Sequence, residues 1–370
     1  MSAEIKFAAS AAAQSVLDGI GRTEDLKFSP SGRRLAVAGF KANKIVVFEI
    51  DIGAAAGVTS VTLGDVLEVS TEGLRYPHGL SFLDEDTLVV ANRNGNVLVV
   101  DAPPPRGGSE ARVVAPRQSL VGGPARTIET PGSVCVFPLA NEQVELLVCN
   151  NYANHVSRHV LDGRRGFAPT SDEILLRKGL DIPDGICTSA DGRWIAVSNH
   201  NTSSVFLYDR NGSLNESSEP DGILQNVLCP HGVRFTPDQA FVLVADAGSR
   251  FVNVYARGEG TWHGTREPFA AFPSVSDRLY ARGRHNPEEG GPKGIDVDDD
   301  MRVLACTCES QALAFFDLPS VLRQAAGPGG RRRRYVRLRL ERALFRRTGY
   351  VSRGSPGEPP VAARPVLDSR

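Results

Sequence analysis

"LCPHGVRFTPDQAFVLVADAGSRFVNVYA", residues 228–256, decides the fold because its pattern recurs. At 75–102 stands "RYPHGLSFLDEDTLVVANRNGNVLVVDA". Both stretches run Pro-His-Gly, an apolar strand, a tight polar turn and two further strands rich in β-branched residues. A unit of this size, repeated, is a supersecondary module that buries its apolar faces against its neighbours. The echo is sixfold. Units open at "TEDLKFSPSGRRLAVAGF", "PHGLSFLDEDTLVVANR", "PGSVCVFPLANEQVELLVCNN", "PDGICTSADGRWIAVSNH", "PHGVRFTPDQAFVLVADA" and "PKGIDVDDDMRVLACTC". The second residue of each opening is Glu24, His78, Gly132, Asp184, His231 and Lys293, at separations of 54, 54, 52, 47 and 62 residues.

Three strands are legible in each unit, and a more polar, more variable fourth segment follows. No long stretch of helical period competes with them. Four antiparallel strands in each of six units make an all-β, six-bladed β-propeller with a body at about 24–345. Residues 1–23 read as an N-terminal extension, and the Pro-rich 346–370 as a disordered tail. Blade six needs an outer strand. "RYVRLRL" at 334–340 is expected to be that strand, with "EIKFAA" at 4–9 as the alternative. The Arg run at 331–334 fits a charged edge strand better than a nucleic-acid patch.

Composition narrows the function. A formal net charge of −1 gives no reason to expect nucleic acid as a partner. No window approaches the roughly 18 apolar residues of a membrane span. The N-terminal stretch lacks the basic and apolar regions of a secretory signal. The six cysteines, at 135, 149, 187, 229, 306 and 308, sit mostly in apolar strand-like runs. They read as reduced thiols of a cytoplasmic protein. "CTC" at 306–308 is a poor match to a zinc site.

Topology gives the column its meaning. In a propeller the inner strands line the central channel, so the six column residues ring one mouth of it. The loops joining second and third strands reach the same face and bring Asn92, Asn150, Asn199 and Asp246, with His200 beside Asn199 and Glu309 near the equivalent place in blade six. These are candidate substrate-binding residues, although Asx-turn geometry also explains the asparagines. Opposed blades place His78 across from His231 and Glu24 across from Asp184. Such a set can hold a divalent cation, or arrange a general acid and base around a polar substrate. Lys293 is a candidate to pair with Glu24 or to stabilise an oxyanion. His155, His159 and His263 lie elsewhere in their repeats and read as packing or surface residues. The long connection at 258–291 ends in Arg284-His285-Asn286-Pro287-Glu288-Glu289 and is expected to bring Arg284 to the same mouth.

These units resemble the six-bladed gluconolactonase, senescence-marker-protein and paraoxonase superfamily. "LVCNNYANHVSRHVLD" and "IAVSNHNTSSVFLYD" are also similar to the YVTN repeats of lactonase-like propellers. The resemblance spans roughly 24–318. It implies a catalytic divalent metal, with Glu24 and Asp184 at matching ligand positions, and a catalytic histidine in Pro-His-Gly, which His78 resembles. The sequence departs from that pattern with Gly132 and His231 where Asn is expected, Asp25 in place of a Gly, and an added Lys293.

The leading expectation is therefore a hydrolase of a lactone or ester. Glu24, Asp184, His78 and His231 are the candidate metal ligands, and His78, His231 and Lys293 the candidate catalytic groups. The metal would be calcium, zinc, iron or manganese, and the partner a small-molecule substrate. Two alternatives stay open: a non-catalytic propeller that binds a ligand or a protein, and a metal-independent isomerase or lyase using His and Lys.

Overall fold

The computed structural model describes residues 3–55, 57–284 and 289–326. Six sheets form a ring, each built on four antiparallel strands. The inner strands are Thr23–Phe28, Pro77–Asp84, Pro131–Pro138, Pro183–Thr188, Pro230–Phe235 and Pro292–Val297. Each opens on its column residue's immediate neighbour, as the repeat spacing predicts. The turns that follow are built from local side chains. Ser189 Oγ donates to Asp191 Oδ1 (2.6 Å), and Thr236 Oγ1 donates to Asp238 Oδ1 (2.6 Å).

Both faces of a central strand are covered by neighbouring blades, so these strands are apolar throughout rather than alternating. Six apolar cores result, one between each pair of adjacent blades. Val47 and Leu67 of blade one meet Leu88 and Val90 of blade two. Val89 and Val99 meet Leu146 and Val148, and Leu147 and Cys149 meet Ile195 and Val197. Ala196 and Leu207 meet Val242 and Val244, and Leu243 and Val252 meet Leu304 and Phe316. The last core, between blades six and one, joins Val303 and Phe315 to Leu26 and Phe48.

That seam is closed by the N-terminus. The described part of the stretch before Thr23, from residue 3 on, packs onto the propeller. Glu4–Ile5 is the outer strand of blade six, with Ile5 opposite Phe315. Two residues on, Ala8–Ala9 runs parallel to the outer strand of blade one, with Ala8 opposite Thr62. Helix Ala11–Ile20 then carries the chain inward to Thr23. Its cap, Ser10, accepts from the Ala13 N–H and donates to the Gly64 carbonyl (2.7 Å). Its buried face, Ala13, Val16 and Ile20, fills the core between blades six and one. Phe7 packs edge-on against Phe315, ring centroids 5.2 Å apart. "RYVRLRL", expected as the closing strand, and the tail both lie outside the described residues. The place expected for "RYVRLRL" is taken by Glu4–Ile5.

Two connections leave their own blade. Ser109–Val114, between the third and fourth strands of blade two, lies parallel on the outer edge of blade one. Gly264–Arg266, at the same point of blade five, does so on blade four. The rest of the long fifth connection forms the outer strand Ala270–Pro273 and helix Asp277–Gly283. No helix among the described residues is long and apolar enough to cross a membrane.

Ring closure by the N-terminal arm carries a direct consequence. Deleting residues 1–9 exposes the edge of blade six and removes Ile5 and Phe7 from the core, a loss of about 3 kcal/mol. Calorimetry of the truncated protein should show the melting temperature lower by roughly 4–8 °C. An unchanged melting temperature would place the closing contact elsewhere.

Candidate functional site

The opening Pro-x-Gly motif sets how closely the inner strands approach. A Cβ on Gly185 would lie 2.1 Å from the His231 carbonyl oxygen, and one on Gly232 would lie 2.6 Å from the Lys293 carbonyl oxygen. Only glycine permits that contact. The residue before each glycine is thereby drawn to the channel mouth, and the column does converge. Glu24 and Lys293 are fully buried, and His78, Asp184 and His231 nearly so.

Glu24 stands at the centre of this cluster. One oxygen, Oε1, accepts from Arg22 Nε. The other, Oε2, has Lys293 Nζ at 3.3 Å, His231 Nε2 at 3.4 Å and His78 Nε2 at 3.6 Å. It makes no well-directed hydrogen bond among the described residues. His231 Nε2 also lies 3.2 Å from Asp184 Oδ2. The two imidazoles stack, centroids 5.3 Å apart and planes 23° apart.

The two histidines are held in different states. His78 Nε2 lies 2.8 Å from an Arg93 guanidinium nitrogen, which can only donate. Nε2 is therefore the acceptor, and Nδ1–H donates to the Gly132 carbonyl (2.8 Å). Burial and the adjacent Arg93 push His78 down to about 3, so it is neutral. Burial acts the same way on His231, but Asp184 and Glu24 outweigh it and raise His231 above its ordinary value. Burial would raise both carboxylates as well. Arg22, Lys293 and the imidazoles overcome it and hold Glu24 well below the usual range. His231, His78 and Arg93 bring Asp184 down to about 2.

A second column, of which the sequence pointed out only His200 and Glu309, completes the mouth. One residue after the Asn/Asp positions, the chain supplies Phe40, Arg93, Asn151, His200, Ala247 and Glu309 from successive blades. Arg93 donates to His78. Asn151 Nδ2 donates to Asp184 Oδ1 (2.8 Å). Glu309 pairs with Arg22 (3.1 Å), and His200 faces Glu289 (3.8 Å). Phe40 lies edge-on to the His78 ring, at 5.9 Å, and beneath the Arg22 guanidinium, at 4.5 Å. The side-chain alternation of a strand carries the signal: if one position turns back into its blade, the next faces the channel.

Asn92, Asn150, Asn199 and Asp246, expected to bind substrate, do brace their own blades instead. Asn92 Oδ1 accepts from the Arg75 N–H, Asn150 Oδ1 from Glu129 and Asn199 Oδ1 from Asp181. Asp246 accepts from the N–H groups of Leu228 and Cys229. All four are fully buried. Each ties down the loop that leads into its inner strand, which is the Asx role. Arg284 is exposed, with its guanidinium over the Tyr280 ring at 5.6 Å. Residues 285–288 lie outside the described residues, and Glu289 does reach Lys293.

Two sequence departures now have reasons. A Cβ at Gly132 would fall 1.6 Å from Asn151 Oδ1, so the amide missing from the first column comes from the second and fills the vacant space. Asp25 serves a deeper ring of charge, where Arg234 pairs with Asp296 (3.0 Å) and approaches Asp25 (3.7 Å). All six cysteines are free thiols. Burial raises both Cys306 and Cys308, as it does ordinary core thiols.

No family model matches the chain, and none of the curated proteins matches it. In shape the chain is similar to the crystal structure of a functionally unknown protein from Desulfotomaculum acetoxidans DSM 771. The two are 13% identical, with 80% of this chain and 83% of that chain covered and a TM-score of 0.51. At this identity the likeness shows the fold alone. A fold matched by 1006 solved chains selects no single chemistry.

Gly132→Ala isolates the link between the two columns. The added methyl group must expel the Asn151 amide and break its bond to Asp184, at a cost of about 1–3 kcal/mol. A crystal structure of the variant should show Asn151 displaced in an intact propeller. An unmoved Asn151 and unchanged stability would refute the packing argument.

Proposed function

We propose that the mouth of the channel is the active site of a metal-dependent hydrolase of a lactone or ester, with Glu24, His78 and His231 as the ligands. The observation that carries this reading is the buried Glu24 Oε2. It lacks a directed hydrogen bond, while two imidazole Nε2 atoms face it at 3.4 and 3.6 Å. Donor atoms bound at about 2.0–2.1 Å in tetrahedral geometry lie about 3.4 Å apart, so the spacing suits one ion among the three. These three residues each offer a ligand atom, all within 4.8 Å of one another.

The donor set fits a borderline cation. One carboxylate and two imidazoles suit zinc, iron or manganese, whereas calcium requires six or more oxygens. Asp184, expected as a ligand, falls outside this trio and serves better as the partner that orients His231. The Gly132 carbonyl plays the corresponding part for His78, fixing the tautomer whose Nε2 lone pair faces inward. The His231 proton must leave before its Nε2 can act as a ligand, so proton and cation compete for the same nitrogen.

When bound, such an ion polarises a carbonyl and lowers the pKa of water. The chain's own residues supply the rest. Lys293 is the cation placed to meet an oxyanion developing beside Glu24. Asp184 and Asn151 hold the His231 ring in place.

A second reading has its own observation. Lys293 Nζ already lies 3.3 Å from Glu24 Oε2, and Arg93 donates to His78 Nε2. Fixed cations could therefore do the electrostatic work without metal, as an isomerase or lyase with His231 as the acid would require.

A panel of lactones and aryl esters separates the readings. Purified protein should hydrolyse at least one class, lose activity in chelator and regain it with zinc, iron or manganese. His78→Ala should lower kcat/KM by about 10²-fold or more in a folded propeller. Activity that is indifferent to chelator would transfer the site to the metal-free reading. A silent panel would leave a binding propeller.

A further inference from the structure

Five blades send side chains to the second column, but blade five sends only the methyl group of Ala247. The connection from blade five to blade six covers this gap. The Gly291 N–H donates to the Ala247 carbonyl (2.9 Å), which lays the chain across blade five's loop. Two residues earlier is Glu289. Its carboxylate lies between Lys293 Nζ of blade six, which donates to Oε2, and His200 Nε2 of blade four, 3.8 Å from Oε1. His231 and Arg22 attract the same carboxylate from further off. A carboxylate from a connecting loop thus occupies a notch whose polar walls come from the blades.

The notch is chemically specific. An ammonium and an imidazole converge on it from blades that do not adjoin, a geometry that takes the two oxygens of one carboxylate. It also lies next to the chemistry, because the same Lys293 Nζ is 3.3 Å from Glu24 Oε2. A group bound there sits one ion pair away from the Glu24–His78–His231 trio. The Glu289 side chain keeps 16% exposure, and the residue belongs to no strand or helix.

We propose that Lys293 and His200 form a carboxylate subsite that Glu289 fills in the free protein, and that the substrate brings its own carboxylate to displace Glu289. The substrate would then be a short lactone or ester bearing a carboxylate a few bonds from the reacting carbonyl. That part rests on the hydrolase reading; the subsite does not. Glu289 would act as a tethered competitor, keeping Lys293 neutralised while the site is empty.

The melting test uses Glu289→Ala and propionate, the glutamate side chain as a free carboxylate, with a chelator present in the melting samples alone. Propionate should raise the melting temperature of Glu289→Ala saturably, by roughly 2–4 °C over chloride at equal ionic strength. The wild-type protein should respond equally to the two salts. Adding His200→Ala to the variant should weaken the propionate response about tenfold. A Glu289→Ala protein that treats propionate and chloride alike would overturn the subsite. If propionate binds and no lactone or ester is cleaved, the subsite stands and the hydrolase reading alone falls. In an active protein, Glu289→Ala should lower KM for carboxylate-bearing substrates and not for neutral ones. The reverse pattern would remove the substrate assignment.

Discussion

A ring of wedges depends on its last contact. Five of the apolar cores join blades that follow each other in sequence, but the sixth must join the chain's two ends across the seam. Here an arm of a few residues does it twice over. Glu4–Ile5 pairs with blade six, Ala8–Ala9 lies along blade one, and the helix behind them fills the core between. Closure brings each inner strand against the next, and the glycine that follows four of the column residues, Gly79, Gly185, Gly232 and Gly294, lets the backbones approach to contact. The chemistry of the mouth follows from that approach.

The converging side chains cannot all be charged and buried unless they satisfy one another. Glu24 is ionised because Arg22 and Lys293 flank it. His231, His78 and Arg93 keep Asp184 ionised, and His78 is neutral because Arg93 lies against its lone pair. The cost of leaving one buried charge unpaired, about 3–5 kcal/mol, makes the set interdependent. Glu24 Oε2 is ringed by nitrogen atoms at distances too long or badly aimed for good hydrogen bonds, and Asn151 Oδ1 of the same mouth also lacks one. A buried oxygen that faces several nitrogen atoms without a directed bond is where a ligand atom belongs.

Much of this was legible in the residues. The six repeated openings, Pro-x-Gly in four of them, fix the blade count and place Glu24, His78, Asp184, His231 and Lys293 on one rim. The second column was recovered only at His200 and Glu309; Arg93 and Asn151 each follow a residue that had been singled out. The Asn and Asp positions drew attention for their polarity, and that polarity is spent on backbone N–H groups. Pairwise contacts lay beyond reach as well: nothing in the spacing says that Asn151 fills the space above Gly132. The closing strand was harder still, because two paired residues at Glu4–Ile5 show no period, whereas "RYVRLRL" alternates clearly.

The central claim is that Glu24, His78 and His231 surround one cation. Anomalous diffraction from crystals soaked in manganese or zinc tests it directly. The account predicts a single strong peak within about 2.0–2.3 Å of Glu24 Oε2 and both Nε2 atoms, with Arg93 moved off His78. A mouth without such a peak, with Lys293 still against Glu24 and Arg93 still on His78, would contradict it.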